Sequence, residues 1–183
     1  MSEIIKNGQI QADEWTVLRL AEGDDAATIE LPHGRVIVPL AVWLARRESL
    51  LAQAEAGVLG VWLTGSDDPA AIADDLPTLQ LVAVNFPKFV DGRGYSIAAL
   101  LRTRYGYGGE LRAIGEVLRD QFFYMKRCGF DSMQPPAGRY THAQLEAALA
   151  SLGTFTEPYQ SAVDVAEPLF RRHLRPAPAK EQA

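Results

Sequence analysis

A single cysteine, Cys128, stands in a chain of 183 residues. That excludes an internal disulfide, an all-cysteine zinc site and an iron–sulfur cluster held by this chain alone. Histidine is scarce too: His33, His142 and His173 lie far apart and share no helical spacing. Any metal would depend on carboxylates, which argues against a dedicated transition-metal enzyme. No Ser-His-Asp arrangement follows from the spacing. Long apolar runs are missing, since stretches such as residues 54–64 and 79–86 are far too short to span a bilayer. The opening MSEIIKNGQIQ has no apolar core behind a basic start, so the sequence predicts no secretory signal and a cytoplasmic location. Internal repeats and heptads are absent as well.

Positive charge is in deficit and unevenly placed. The chain has 18 Lys/Arg against 23 Asp/Glu, a net of −5 and a pI of about 5.2. Yet residues 86–139 hold nine Lys/Arg and five Asp/Glu, a net of +4 that leaves −9 for the rest. A basic island in an acidic chain suggests an anion site or a docking face for an acidic partner. It does not suggest general nucleic-acid affinity.

With 48% hydrophobic residues the chain can bury a full core in one domain. Short strands are predicted first: Ile4-Ile5 and Ile10 around an Asn7-Gly8 hairpin turn, then residues 16–20, 27–31 and 35–38. A helix over residues 40–54 follows, with Leu40, Trp43, Leu44, Arg47, Leu50 and Leu51 near a 3.6 period. Strand and helix then alternate. Strands are expected at 58–64, 79–85, 111–114 and 130–133. Helices are expected after the Ser66-Asp-Asp-Pro69 cap, at 95–105 and at 116–128, and after a Thr141–Gln144 capping box. This pattern predicts an α/β fold, a small parallel βα-repeat unit that is either half-barrel-like or open and doubly wound, with an N-terminal β-hairpin segment. Residues 1–38 read as a β segment packed on the core, 39–174 as the α/β domain and 175–183 as a disordered tail. The exposed edges of such a sheet would suit a homodimer.

Parallel α/β sheets place ligands at the carboxyl ends of their strands. Four loops should meet there: 64–68, 86–94, 115–119 and 134–140. In the second, Gly92 and Gly94 flank Arg93 just before a helix. This reads either as an anion cradle, with Arg93 as a clamp and Lys88 and Arg119 as further charges, or as a helix entry with Arg93 paired to Asp91. Asp91 and Glu116 are the candidate acid–base residues, Glu116 reading also, and more simply, as an acidic first-turn residue of its helix. A carboxylate trio of Asp67 or Asp68, Asp91 and Glu116 is a weak Mg²⁺ candidate among so many arginines, and no metal site is expected. The third glycine of a dinucleotide motif is replaced by Ile97, so no nicotinamide or flavin cofactor is expected. Arg102, Arg104, Tyr107, Arg112, Tyr124, Lys126 and Arg127 form either a docking face or arginines lying over helix surfaces. Cys128, at a helix C-terminus, reads as structural.

The run NFPKFVDGRGYSIAALLRTRYGYGGELRAIGEVLRDQFFYMKRCGFDSM resembles an uncharacterised bacterial family of unknown function. FPKF, DGRGYS, LRDQ and RCGFD are its most specific pieces, and FTEPYQ resembles its closing motif. Members are typically encoded beside assimilatory sulfite reductase and labelled as oxidoreductases of sulfite reduction. Glu116 stands where the family pattern usually has aspartate. The resemblance implies a pathway and no catalytic residues. It makes sulfite reductase or its electron donor the expected partner, and a small oxyanion the expected ligand. A small-anion enzyme and a pure interaction module are the alternatives.

Overall fold

The structure, a computed structural model, describes residues 3–153 and 160–173. The predicted tail and nearly all of the FTEPYQ motif lie outside them. Eight strands form one mixed sheet: β1 (Glu3–Lys6), β2 (Gln9–Ala12), β3 (Trp15–Val17), β4 (Arg35–Pro39), β5 (Leu59–Leu63), β6 (Leu81–Phe86), β7 (Glu110–Gly115) and β8 (Ser132–Met133). The helices are α1 (Leu40–Glu55), α2 (Arg93–Thr103), α3 (Phe122–Arg127), α4 (His142–Ser151) and α5 (Leu169–His173), with 3₁₀ turns at Pro69–Asp75 and Arg119–Gln121.

Strand order is β2-β1-β8-β7-β6-β5-β4-β3. From β3 to β8 every neighbouring pair is parallel and consecutive, so the chain winds in one direction without reversing. A doubly wound sheet would reverse, and its helices would cover both faces. Here the buried apolar side chains of α1 to α4 all join one cluster with one face of the sheet. The opposite face carries a separate, helix-free cluster of Ile37, Leu81, Ala83 and Ile114, with Trp15, Val17 and Trp62 packed against it. Single winding selects the half-barrel.

β1 and β2 pair antiparallel through the Asn7-Gly8 turn, whose φ values of 50° and 77° give the primed geometry that matches strand twist. β1 then pairs antiparallel with β8, so the N-terminal strands belong to the same sheet. β2 and β3 are its two edges, yet only Asp13 and Glu14 separate them in sequence. Three residue steps reach about 11 Å at most, so the sheet curls until its edges nearly meet.

Asp13 lies inside that curl. Its Oδ1 accepts from Arg112 Nη1 at 2.8 Å and from the Trp15 amide at 3.2 Å. The Arg112 Nε and Nη2 donate to Glu110 Oε1 at 2.9 and 2.8 Å, Ser132 Oγ donates to the same oxygen at 2.7 Å, and Lys6 Nζ pairs with Glu110 Oε2 at 2.6 Å. Two cations and two anions thus balance in the interior. Burial pushes the Glu110 carboxyl up, but Arg112, Lys6 and Ser132 outweigh it and hold it below the usual range. Expected as part of a docking face, Arg112 is 1% exposed and cannot serve one. Its alternation with Ala113, which joins the helix-side cluster, turns it inward.

Two elements depart from the sequence reading. No strand forms over residues 27–31; this stretch is irregular, with the Ile29 carbonyl accepting from Arg46 Nη1 at 2.8 Å. The helix expected over 116–128 is shortened to the 3₁₀ turn and α3, because Gly115 turns the chain at φ 94° and Glu116 stays in the strand-end loop. The remaining boundaries shift by a few residues. The Thr141 capping box at α4 forms in both directions, with bonds of 2.9 and 3.3 Å.

Candidate functional site

The loops after β5, β6, β7 and β8 stand along one rim because those strands are adjacent and parallel. Hydrogen bonds tie each to the next. Arg93 Nη1 donates to Ser66 Oγ at 2.7 Å, linking the β5 and β6 loops. Gln121 Nε2 donates to the Phe89 carbonyl at 3.3 Å, linking the β6 and β7 loops. The Arg119 amide donates to Tyr140 Oη at 3.1 Å, linking the β7 and β8 loops.

The two-glycine loop is a helix entry. Arg93 Nε and Nη2 donate to the two oxygens of Asp91 at 2.9 and 2.7 Å, and Asp91 Oδ1 also accepts the Arg93 amide at 3.2 Å. With Ser66 on the third nitrogen, each guanidinium nitrogen has a partner, the pairing expected of a helix entry, while the side chain stays 59% exposed. Hydrogen bonding from Arg93 holds the Asp91 carboxyl down at about 2, far too acidic for a general base near neutrality. Gly94 is needed for space: a Cβ there would lie 2.8 Å from the Phe86 ring. Gly92 meets no such limit, a Cβ there lying 3.9 Å from the nearest atom, in Tyr95.

The carboxylates expected to gather are committed separately. Asp67 Oδ2 accepts the Thr64 amide at 2.6 Å, and Asp68 Oδ1 caps the Pro69–Asp75 turn through the Ala70 amide at 2.9 Å. Glu116 is exposed. No group of three or more His, Cys, Asp or Glu among the described residues could hold a metal ion.

Lys88, Arg119 and Arg139 are different. Each is exposed, on the β6, β7 and β8 loops in turn, and none pairs with a carboxylate among the described residues. Beside them Phe89 is 50% and Val90 83% exposed, at the tip of the β6 loop. The sequence signal for this tip was available, since Phe89 and Val90 are apolar residues in a loop bounded by Pro87 and Asp91-Gly92.

The expected docking set does not form one face. Tyr107 is buried, its hydroxyl donating to the Leu79 carbonyl at 3.0 Å, and burial pushes that hydroxyl's pKa up. Arg102 donates to the Gly129 and Gly109 carbonyls at 2.9 and 3.0 Å and pairs with Asp131, stitching α2 to the starts of β7 and β8. Arg104, Tyr124 and Lys126 are exposed, and Arg127 donates to the Gln160 carbonyl at 2.6 Å. Helices in this fold run back against the strands, so the basic residues at the C-terminal ends of α2 and α3 lie at the end opposite the rim. Arg104 sits over Tyr105, and Tyr124 packs edge-on to Tyr95 at 4.8 Å. Cys128 is half-buried, and that burial pushes its thiol up, consistent with an inert role.

Residues 60–170 match the model of a family described as "Bacterial protein of unknown function (DUF934)". The chain belongs to that family. The DUF934 match takes in β5 to β8 and all four rim loops, and it leaves β1 to β4 outside. No curated protein matches the chain. No solved structure matches it either. No helix among the described residues is long and apolar enough to cross a membrane.

Proposed function

We propose that this chain is an accessory protein of assimilatory sulfite reduction. It docks through the rim of its half-barrel onto an acidic face of the reductase or of its electron donor. The observation that carries the docking is the rim itself: three exposed cations on successive loops, without carboxylate partners among the described residues, and an exposed Phe89-Val90 tip on the first of those loops. An apolar tip on the same rim as these cations combines a residue that gains by losing water with charges that steer an acidic partner. The pathway rests on the resemblance of the FPKF, DGRGYS, LRDQ and RCGFD segments, and a cytoplasmic residence goes with it.

An enzyme built on the same rim has less support. Asp91 is held too acidic to serve as a general base near neutrality, and Arg93 spends one N–H of each guanidinium nitrogen on Asp91 or Ser66. Cavities of about 660 and 610 Å³ lie elsewhere, the first against α2 and α3 and the second beside the β1–β2 turn and α4.

The test is sulfite reduction by the purified reductase and its native donor, with and without this protein. Stoichiometric stimulation is expected. The triple variant Lys88→Glu, Arg119→Glu, Arg139→Glu should slow association on the order of 10- to 100-fold at low salt, and Phe89→Asp should weaken binding at any salt. Raising ionic strength should narrow the gap between wild type and the triple variant. Absence of stimulation at every ratio would remove the pathway reading, and stimulation that survives both variants would remove the rim as the contact.

A further inference from the structure

Arg19 follows the edge strand β3, yet its guanidinium reaches Asn85 on β6, past β4 and β5. Nη1 and Nη2 both lie 3.3 Å from Asn85 Oδ1. The guanidinium also sits over the Trp62 ring on β5, 5.7 Å from its centroid. Two further bonds fix this arrangement: Trp62 Nε1 donates to the Leu18 carbonyl at 2.8 Å, and the Leu18 amide donates to the Ile37 carbonyl at 2.9 Å. Arg35, Arg47, Arg93, Arg102 and Arg112 each pair with a carboxylate. Arg19 pairs with none among the described residues and is held only by two long contacts to a neutral amide and by an aromatic face.

The amide's orientation follows from its partner. A guanidinium has no acceptor, so Asn85 must turn its oxygen toward Arg19 and its NH₂ away. Asn85 is 8% exposed, so that donor is fixed at the mouth of the curl. The position therefore offers two sets of donors: the remaining N–H groups of Arg19 and the Nδ2 of Asn85. It lies at the carboxyl ends of the parallel strands, inside the curl instead of on the outer loops. We infer that Arg19, Asn85 and Trp62 form a binding site for a small oxyanion of the sulfate or phosphate class. Arg19, an exposed residue, supplies the charge, Asn85 the second donor, and the Trp62 ring beneath the guanidinium narrows the freedom that binding would remove.

None of these residues belongs to the Lys88–Arg119–Arg139 rim, so the site stands or falls apart from partner docking. The test is thermal unfolding of the isolated full chain in 10 mM sulfate or phosphate against chloride at equal ionic strength. Protection of about 3–6 °C is expected for a dissociation constant near 1 mM. Arg19→Gln should abolish it. Asn85→Asp should abolish it too while keeping the contact, because a carboxylate then neutralises the guanidinium in place. Arg93→Ala should leave it intact. Equal protection of wild type and both site variants would be a general salt effect and would overturn the assignment, as would no protection of the wild type.

Discussion

Arg112→Ala should lower unfolding free energy by about 3–5 kcal/mol, the cost typical of breaking a buried ion pair from one side. Asp13 and Arg112 have side chains 0% and 1% exposed, and Glu110 is 11% exposed. Removing the guanidinium leaves two carboxylates in the curl with only the partly exposed Lys6 against them. Asp13 Oδ2 already lacks a partner, so nothing nearby stands ready to take over. The expected signature in urea is a large fall in midpoint with little change in slope. The triple variant Asp13→Asn, Glu110→Gln, Arg112→Met should recover much of the loss, because it removes the three most buried charges together and leaves only Lys6, whose side chain is 32% exposed and can reach water. A loss below about 1 kcal/mol in the single variant would show that solvent reaches the cluster freely. The pH dependence has a definite sign. Glu110 is held below its unfolded value, so its contribution is complete above the ordinary glutamate pKa and is lost as pH falls through the depressed folded value.

The second large effect is expected at Gly115→Ala. Gly115 has φ 94°, and a Cβ there would lie 2.4 Å from the Phe86 carbonyl oxygen and 2.7 Å from Asn85 Oδ1. The Phe86 carbonyl accepts the Glu116 amide at 2.8 Å, so moving it disturbs the turn that releases Glu116 from the strand. Backbone strain and one weakened hydrogen bond together should cost about 2–4 kcal/mol. Gly138→Ala is the control. That glycine also has positive φ, at 70°, but a Cβ there meets nothing within 4 Å, so only the conformational part, about 1 kcal/mol, should appear. Equal losses in the two variants, measured by chemical denaturation, would mean that the crowding at Gly115 relaxes without cost. Displacing Asn85 should also weaken the oxyanion protection, which Gly138→Ala should not.

Much of the fold was legible because its signals are local. Asn7-Gly8 encodes its own turn, Thr141 and Gln144 encode their cap, and LVAVNF is apolar at every position but Asn85 because β6 is buried on both faces. The strand over residues 27–31 failed because β-branched residues mark a fit to a half-buried surface, and Ile29 and Leu31 find that surface by packing against the main apolar cluster as irregular chain. The helix from Glu116 failed because a glycine at positive φ ended the strand later than periodicity suggested. The candidate site was legible in part. Strand ends gave the four loops, but not which cations would be free. Arg93 has a carboxylate two residues away, while Lys88, Arg119 and Arg139 have none placed to reach them. Arg112 could not be read as interior from its neighbours, since its partner Asp13 lies 99 positions earlier. Arg19 and Asn85, 66 positions apart, posed the same difficulty.

The two-residue link between the sheet's edges bears on how the chain is made. During synthesis β3 to β7 can assemble in the order in which they emerge, each beside its predecessor. β1 cannot, because its partner β8 ends at Met133. Of this sheet's strands, the earliest to be made are therefore among the last to be placed, and until then the inner face of the sheet stays open. Nascent chains arrested before Met133 has cleared the exit tunnel should remain sensitive to protease at residues 3–12, and longer ones should become resistant there in a single step.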